Sequence, residues 1–476
     1  MTDIRNLEPK EVFSWFYEIN QHPRSSGKEK EISDFLVNFA KERNLEVYQD
    51  ELLNVIIKKP GTKGYENSET LIIQGHMDMV CVKTDDSNHN FDTDPIEMIV
   101  DGDLLRANNT TLGGDDGIAV AYGLAILDSD EIAHPPIELL ITTNEETGMD
   151  GAIALTNEHL SGTRLLNIDT EEEGEFLVSC SGGANVEVVF DAERKDSNSK
   201  GLNIVIGGLL GGHSGGEIHK QRLNAIKAMA RLLNRVKDDV VLSSIEGGIK
   251  HNAIPSRAEV VVACENIDEV KAKLSSLSEE IKSEYRVEEP GYFMEIKDVE
   301  VNSTYTKDLS DRYISFLMSL PDGVMYMSKD IDGLVQTSLN NAIIEEEDGK
   351  IVLTTSVRSC VPSSLREILD KLDVITSAFG GHFREYAHYP AWQYEEVSPL
   401  RDIAVKTFVD QYGKQPLVNS IHAGLECGLL KEILPNTDML SYGPTIKDAH
   451  TPKENMSISS VGRVWDFTKN LLANLK

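Results

Sequence analysis

The residues of this chain best suited to chemistry begin with His76 and Asp78, which stand two positions apart. A histidine is a common metal ligand, and an acid beside it can orient it or remain free for catalysis. The apolar run from Leu71 to Ile73 predicts a buried strand, and Gly75 predicts that the chain turns out of the sheet there. We therefore expect the pair at the carboxyl end of a strand, where open α/β sheets place their chemistry. On its own, such a pair is more often a set of polar residues at a strand end.

Four other segments carry acids or a histidine at the edges of predicted elements. Asp115 lies in a glycine-rich loop before an apolar helix, where it either caps the helix or bridges two cations. Glu145 and Glu146 follow a predicted buried strand. They fit either a surface loop or a division of labour, in which one binds metal and the other accepts a proton from water. Asp169 ends a further strand, and His450 lies in a loop near the C-terminus, where a lone histidine is seldom a ligand.

Considered together, these side chains are typical of a dinuclear metal site. Two imidazoles and three carboxylates suit a pair of Zn²⁺ ions, with Co²⁺ or Mn²⁺ as substitutes, better than calcium or an iron–sulfur cluster. Two metals about 3.5–4 Å apart share a bridging hydroxide and a carboxylate in the enzymes that hydrolyse amides and phosphate esters. The sequence therefore predicts a metal-dependent hydrolase.

The composition indicates the cellular compartment of the protein and excludes some classes of partner. The 476 residues are too many for one core, so two or three domains are expected. No apolar stretch is long enough to span a bilayer, the start has no signal-peptide pattern, and the five cysteines lack metal-binding spacing. The net charge of −33 argues against nucleic acid and anionic membranes as partners. We expect a reduced, cytoplasmic protein.

Helix and strand patterns divide the chain into two kinds of region. They alternate through residues 1–185, which predicts a largely parallel sheet covered by helices on both faces. Longer β-branched strands surround amphipathic helices in residues 186–390, which predicts one or two α+β units with antiparallel sheets. The α/β pattern resumes after Pro390. We expect a discontinuous α/β catalytic domain, residues 1–185 and 391–476, with an inserted α+β lid or dimerisation domain, residues 186–390.

The periodicity also predicts individual elements. Strands are expected at residues 52–58, 71–74, 137–143, 164–168, 184–190, 258–263, 351–357 and 439–442. Helices are expected at residues 117–127, 364–378 and 400–412 and from Ser460 onward. The dipeptide Asp348-Gly349, between two apolar runs, predicts a hairpin turn.

In their order along the chain, five motifs resemble those of the zinc-dependent peptidases related to glutamate carboxypeptidase. They are residues 75–80, 110–117, 143–149, 167–175 and 449–454, and the resemblance extends over essentially the whole chain. It implies that His76 and Asp169 are the terminal ligands of one zinc ion. Glu146 and His450 would hold the other zinc ion, and Asp115 would bridge the two.

The same resemblance implies roles for the remaining acids. It implies that Glu145 is the general base and that Asp78 is the acid that supports the zinc ligand His76. The family commonly has a cis peptide bond after the bridging aspartate, here Asp115-Asp116. Close relatives often have Leu-Gly-Ala-Asp-Asn-Gly where this chain has Leu-Gly-Gly-Asp-Asp-Gly, a difference that leaves the ligand intact.

The glycine-rich stretch of residues 207–216 is similar to a phosphate-binding loop, but no Gly-Lys-Ser/Thr follows it, so we reject that interpretation. It resembles instead the family's lid segment, in which a histidine stabilises the tetrahedral oxyanion. We assign this role to His219 ahead of His213. Asn252 and Arg358 resemble lid residues that bind the substrate's carboxylate, a task that suits the guanidinium fork. For Arg358 a surface charge on a strand is an equal alternative.

Two further residues, Gly424 and Glu426, lie in a glycine-rich stretch and are expected to contact the backbone or the amine of the substrate. The sequence thus predicts a cytoplasmic dinuclear zinc peptidase that cleaves short unblocked peptides, foremost Xaa-His dipeptides, with a homodimer formed through the inserted domain. Tripeptide aminopeptidase, carboxypeptidase and N-acyl amino acid deacylase reactions remain alternatives within the family. A non-catalytic metal- or peptide-binding protein is the alternative of another class. A nucleotide-binding enzyme is disfavoured because both glycine-rich nucleotide signatures are missing.

Overall fold

The chain divides into two compact units in the computed structural model, which describes residues 3–476. The first unit consists of the chain up to Ser179 together with Tyr394–Ser420 and Leu425–Lys476. The second consists of Cys180–Gln393 and Ile421–Gly424. The assignment of these units as a catalytic domain and a lid or dimerisation domain stays a prediction.

The first unit is built on an eight-stranded sheet. Its strands, in spatial order, are Glu46–Gln49, Val55–Lys59, Ile137–Thr142, Leu71–His76, Arg164–Asn167, Asp438–Ser441, Glu175–Cys180 and Leu417–Ile421. The four central strands, from Ile137–Thr142 to Asp438–Ser441, run parallel to one another. The expected α/β fold is confirmed, but parallel pairing is restricted to this centre, because the strands outside it join it antiparallel. The outermost strand Glu46–Gln49 is half exposed, a position that antiparallel strands tolerate better than parallel ones.

Helices flank this sheet, as the sequence predicts. They are Lys10–Ile19, Lys30–Glu42, Gly114–Asp128, Glu145–Gly148, Asp150–Ala154, Pro399–Tyr412, Glu426–Ile433 and Ile458–Asn474, with short 3-10 turns at Ile4–Asn6 and Asn157–His159. The helix Gly114–Asp128 is buried on every side over most of its length, which explains why its sequence is apolar all round. It fixes one end of the glycine-rich loop against the core.

Two features of the first unit differ from expectation. The strand expected at residues 52–58 begins only at Val55, because the carboxylate of Asp50 accepts hydrogen bonds from the backbone N–H groups of Leu52 and Asn54 and closes a turn there. A small antiparallel sheet of Met98–Asp101, Leu104–Ala107, Asn455–Ser457 and Ile446–Lys447 was not expected at all. Its strands are two to four residues long and too short to show a periodic pattern.

The second unit is antiparallel throughout its large sheet. The strands of this sheet are Gly182–Asp191, Arg194–Gly207, Val240–Gly247, Ala258–Cys264, Phe293–Tyr305, Gly323–Met327, Val335–Glu347, Lys350–Ser359 and His382–Tyr389. Its helices are Ala225–Val236, Ile267–Glu284, Lys307–Ser319 and Pro362–Ala378, with 3-10 turns at Ile218–Lys220 and Lys237–Asp239. Gly212–His213 and Ala253–Ile254 form a separate two-stranded pairing. The hairpin expected at Asp348-Gly349 is confirmed, since Glu347 pairs with Lys350 across it.

The order of elements shows that the second unit contains two βαββαβ modules. In each, four strands lie in the order fourth, first, third, second, and one module is inserted between the first strand and the first helix of the other. The inserted module runs from Arg194 to Tyr305, and the enclosing module comprises Gly182–Asp191 and the elements from Lys307 to Tyr389. The enclosing module has one additional strand, Gly323–Met327, which pairs with Val335–Glu347. The two modules join into the one large sheet where Gly247 pairs with Ile344. The sequence left one or two α+β units open, and the strand order shows two.

None of the helices within residues 3–476 combines the length and the apolar character needed to cross a bilayer.

Candidate active site

His76 is the last residue of the central strand Leu71–His76, and its side chain is buried. Gly75 does not turn the chain out of the sheet as expected, because it pairs within the strand with Ile141. A side chain at Gly75 would instead collide with the carboxylate of Asp116 and with Ala119 at the start of the long buried helix. Glycine is therefore required for the close approach of helix and strand beneath His76.

Asp78 connects the histidine to the neighbouring turn that carries Glu145 and Glu146. Its Oδ1 lies 3.4 Å from Nδ1 of His76, and the same oxygen accepts a hydrogen bond from the backbone N–H of Glu145 at 3.1 Å. Its Oδ2 accepts hydrogen bonds from the hydroxyl of Ser26 at 2.7 Å and from the backbone N–H of Glu146 at 3.3 Å. Asp78 is fully buried, and a carboxylate that accepts several hydrogen bonds stays ionised. Its oxygens are thus occupied by contacts with His76, Ser26 and the turn at Glu145, and its expected role of orienting His76 stays a prediction.

The glycine-rich loop brings Asp115 to His76. The helix is capped by Gly113 with a φ of 68° and no side-chain cap, so Asp115 is not the N-cap. The carboxylate of Glu454 fixes the loop by accepting hydrogen bonds from the backbone N–H groups of Leu112, Gly113 and Gly114 at 2.7, 3.1 and 2.7 Å. The peptide bond between Asp115 and Asp116 is cis, as the family resemblance implies.

The two oxygens of Asp115 face two different histidines. Oδ1 lies 3.1 Å from Nε2 of His76, and Oδ2 lies 3.0 Å from Nε2 of His450. His450 stands in the loop between the short strands Ile446–Lys447 and Asn455–Ser457, with a left-handed φ of 62°, and its Nε2 also lies 2.9 Å from Oε2 of Glu146. Asp115 thus presents one carboxylate oxygen to each imidazole, and these side chains would be close enough to share bound cations.

Glu145 and Glu146 open a four-residue helix after the strand Ile137–Thr142. The preceding Asn144 has a left-handed φ of 56°, and its backbone N–H donates to the buried carboxylate of Glu29 at 3.0 Å. Because the turn is also held by Asp78, the two glutamate side chains point in defined directions. Oε1 of Glu146 is buried without a hydrogen-bond partner in the described part of the chain.

Asp169 follows the strand Arg164–Asn167 and lies with its Oδ1 at 3.8 Å from Nε2 of His76. Asp116 also comes close to this pair, and its Oδ2 accepts a hydrogen bond from the backbone N–H of His76 at 3.2 Å. The ligand atoms of His76, Asp116 and Asp169 fall within one group that could hold a metal, as do those of Asp115, Glu146 and His450.

The electrostatics of this group fit cations. Burial, together with the neighbouring carboxylates of Glu426 and Glu146, raises the pKa of Glu145 to about 8. Hydrogen bonds to the carboxylates of Asp115 and Glu146 raise the pKa of His450 to about 11. So many carboxylates converge here that a proton or a metal ion must bind among them. The unpartnered oxygen of Glu146 and the mixed imidazole–carboxylate donor set fit a pair of divalent cations.

Glu426 lies in the same unit but not on an open surface. Its side chain is fully buried at the start of the helix Glu426–Ile433, where Oε2 accepts hydrogen bonds from Gln74 at 2.6 Å and Thr142 at 2.7 Å. Gln74 in turn accepts from Asn167, two residues before Asp169. This buried network supports the strand ends that carry the site, and the expected contact of Glu426 with substrate stays a prediction.

Within the second unit, His213 is held in a defined tautomer. Its Nδ1 accepts hydrogen bonds from the backbone N–H groups of Gly215 and Gly216 at 3.2 and 3.0 Å. Burial and the charge of Arg358 lower the pKa of His213, which keeps the ring neutral. A neutral ring whose Nδ1 is an acceptor carries its proton on Nε2, so His213 offers an N–H donor. His219, the residue preferred from the sequence, lies on the 3-10 turn Ile218–Lys220, and both histidines are exposed.

Asn252 and Arg358 belong to the same neighbourhood of the second unit. The carbonyl of Asn252 accepts a hydrogen bond from the backbone N–H of Ser214 at 2.8 Å, next to His213. Arg358 is partly buried on the strand Lys350–Ser359. Its Nη1 donates a hydrogen bond to the hydroxyl of Tyr389 at 2.8 Å. Its Nε is buried and has no hydrogen-bond partner in the described part of the chain. These contacts disfavour a simple surface charge. Gly424 lies in the short segment Ile421–Gly424 of this unit.

Three supporting residues were missed by the sequence analysis. Arg24 is buried and donates to the carbonyls of Met77, Asp78 and Gly113, which ties the His76 segment to the glycine-rich loop. Glu29 and Glu454 are buried carboxylates that bind backbone N–H groups. No spacing rule marks such residues, because their partners are backbone atoms distant in sequence.

Comparison with known proteins agrees with the geometry. Residues 205–289 match the model of the M20 peptidase dimerisation domain. The chain is 35% identical, over 482 aligned positions, to the cytosol non-specific dipeptidase of Escherichia coli, covering 100% of this chain and 99% of that protein. The crystal structure of aminoacylhistidine dipeptidase from Vibrio alginolyticus is 37% identical, with a TM-score of 0.93 over 99% of this chain and 98% of that one. The aminopeptidase PepT from Bacillus cereus shares the fold, with a TM-score of 0.57 and 15% identity over 98% and 99% of the two chains.

Proposed function

The chain belongs to the M20 family of metallopeptidases, and on that premise we propose that it is a dinuclear zinc dipeptidase. The proposal comprises hydrolysis of short unblocked peptides, above all dipeptides, with Xaa-His dipeptides among the preferred substrates. The relatives with the highest identity reported above are named as dipeptidases, one non-specific and one for aminoacyl-histidine.

The observation that carries the proposal is the placement of Asp115 between His76 and His450. One carboxylate oxygen faces each imidazole, at 3.1 and 3.0 Å. His76 and Asp169 would hold one cation, and Glu146 and His450 the other, with Asp115 shared. When bound, a cation pair supplies a polarised scissile carbonyl and a water of lowered pKa. The nitrogen and oxygen donors favour Zn²⁺, with Co²⁺ or Mn²⁺ as substitutes.

Glu145 is the proposed general base. It stands beside Glu146 on a turn fixed by the carboxylates of Asp78 and Glu29. In the proposed reaction its carboxylate accepts the proton of the attacking water and delivers it to the leaving amine. Asp78 keeps His76 and this turn in register and takes no proton itself.

For the second unit, we propose His213 rather than His219 as the donor to the tetrahedral oxyanion. The two backbone N–H groups bound at Nδ1 leave the Nε2 proton of His213 for donation, which is what an oxyanion requires. Arg358 is proposed to bind the C-terminal carboxylate of the substrate, with Asn252 and Gly424 as further contacts. The unpartnered Nε of Arg358 supports this role, because a buried guanidinium N–H otherwise lacks an acceptor.

A cytoplasmic location and a homodimer through the second unit complete the proposal. The relative in Escherichia coli is named for the cytosol, and the match to a dimerisation domain falls entirely within the second unit. The net charge of −33 argues against nucleic acid or anionic membranes as partners. Sedimentation equilibrium would test the dimer directly.

The proposed function is tested by metal analysis coupled to hydrolysis of a peptide panel. The panel contains Xaa-His and other dipeptides, tripeptides, longer peptides and N-acyl amino acids, each measured before and after chelation. We expect two metal ions per chain, cleavage of dipeptides first, and loss of activity on chelation that Zn²⁺ restores. Full activity of metal-free protein, or hydrolysis confined to acylated amino acids, would contradict the proposal.

A further inference from the structure

His422 is a buried histidine of the second unit that neither the metal centre nor the proposed substrate contacts use. It follows the strand Leu417–Ile421 and is 8% exposed. Its Nδ1 hydrogen-bonds to the hydroxyl of Ser181 at 2.9 Å, and its Nε2 to the hydroxyl of Ser338 at 2.7 Å. Both serines are buried as well. With both ring nitrogens engaged, the imidazole is not free to act as a base or as a metal ligand.

The imidazole ring of His422 is neutral at pH values of about 7. Burial, and then the nearby positive charge of Arg358, lowers the pKa of His422 to about 3. A neutral imidazole has one donor and one acceptor nitrogen, and a serine hydroxyl can complement either. His422 is therefore a permanent hydrogen-bond bridge between Ser181 and Ser338.

One end of this bridge leads to Arg358. Ser338 lies on the strand Val335–Glu347 and pairs directly with Arg358 on the strand Lys350–Ser359. In an antiparallel pair, directly opposite residues are nearest neighbours, so a shift at Ser338 is transmitted to Arg358. The guanidinium of Arg358 also donates a hydrogen bond to the hydroxyl of Tyr389.

The backbone around His422 leads to the other substrate-binding candidates. The carbonyl oxygen of His422 packs against Gly215, where an added Cβ would lie only 2.6 Å from it. Gly215 is one of the two glycines whose backbone N–H groups bind Nδ1 of His213. On the other side, the backbone N–H of Ser181 donates to the carbonyls of Ile421 and Ala423, which fixes the segment leading to Gly424.

We propose that His422 is a positioning residue that holds Arg358, the His213 loop and Gly424 in one arrangement, and thereby sets the preference for substrates with a free C-terminal carboxylate. This inference rests on the proposed dipeptidase function and adds to it a residue outside the reacting groups. The contacts of His422 described above lie within the second unit of a single chain.

The test compares a dipeptide with its C-terminal amide in three variants of the full-length, zinc-loaded protein. His422→Ala removes the bridge, His422→Gln keeps a polar group within reach of Ser338, and Ser338→Ala deletes one hydroxyl with little change in packing. We expect the wild type to prefer the free acid in kcat/KM, and His422→Ala to reduce that preference about tenfold or more, mainly through KM of the acid. Ser338→Ala should show a smaller loss, and His422→Gln should recover part of the preference.

The matched control is His388→Ala, because His388 is an exposed histidine of the same unit, with its side chain 52% exposed. It should leave the acid-to-amide ratio at the wild-type value. Equal losses on acid and amide in His422→Ala and Ser338→Ala, with the ratio unchanged, would show a merely structural role and overturn the inference. A wild type that cleaves dipeptides without preferring the free acid would overturn both this inference and the proposed role of Arg358. A wild type that cleaves no dipeptide at all would instead overturn the proposed function.

Discussion

Oδ1 of Asp78 accepts a hydrogen bond from the backbone N–H of Glu145 at 3.1 Å, so the acid beside the proposed ligand His76 also fixes the turn that carries the proposed base. The same carboxylate lies 3.4 Å from Nδ1 of His76. Ligand and base are thus aligned by one buried side chain. This hydrogen bond links two motifs that are almost seventy residues apart in sequence, at Asp78 and Glu145.

The first prediction concerns this shared support. In Asp78→Asn one oxygen becomes an amide group that cannot accept hydrogen bonds. If Oδ1 is replaced, both His76 and the backbone N–H of Glu145 lose their acceptor, and if Oδ2 is replaced, the backbone N–H of Glu146 loses its acceptor. Loss of such a support behind a metal ligand lowers metal affinity or activity about 10- to 100-fold. Zn²⁺ competition titration and kcat measured at saturating metal should show both effects. Asp92→Asn, at an exposed carboxylate paired with Lys28, is the control. Equal metal affinity and kcat in the two variants would contradict this role of Asp78.

A second prediction concerns Glu454, whose carboxylate binds three consecutive backbone N–H groups of the loop before Asp115. In Glu454→Gln the NH₂ group of the new side chain replaces one carboxylate oxygen, so it faces a backbone N–H group of the loop that then has no acceptor. An unsatisfied buried donor costs about 1–3 kcal/mol, so the free energy of unfolding should fall by that amount. Activity should fall as well, because Asp115 is displaced. Urea denaturation against the exposed control Glu432→Gln measures the stability change, and a variant as stable as this control would refute the assignment.

The clustering of the proposed metal ligands could be predicted from the sequence because several of them stand at the ends of strongly patterned strands. His76 and Asp169 follow adjacent parallel strands, so their meeting follows from the topology. Arg24 and Glu454 could not be found this way, since their partners are backbone atoms of a loop whose conformation no local pattern encodes. The expected preference for His219 stays untested, and the proposal of His213 in its place depends on the backbone N–H groups of Gly215 and Gly216, which only the folded loop presents.

A third prediction gives the pH dependence of stability in the second unit. The carboxylate of Asp322 accepts hydrogen bonds from Asn224 and Asn341, near the ammonium of Lys227, and burial raises its pKa to about 6. Between the unfolded value near 4 and this folded value, the folded protein binds more protons than the unfolded chain. Stability therefore falls as the pH rises through that window, and the cost of the ionised carboxylate is fully present above it.

Asp322→Asn removes this titration. The difference in unfolding free energy between wild type and variant should shift in the variant's favour by at most about 3 kcal/mol from pH 4 to pH 7. Urea denaturation at closely spaced pH values measures the difference, with Asp330→Asn, at an exposed aspartate of the same unit, as the control. A constant difference across this range would contradict the prediction.

The central claim is that two bound metal ions and the base Glu145 together hydrolyse a dipeptide. Its most direct test is the activity and metal content of Glu145→Gln, because this change removes the proton acceptor and leaves the predicted ligands His76, Asp115, Glu146, Asp169 and His450 in place. The account predicts two Zn²⁺ ions per chain, as in the wild type, with turnover reduced at least about 10²-fold. A variant that keeps both metals and near-wild-type turnover would contradict it.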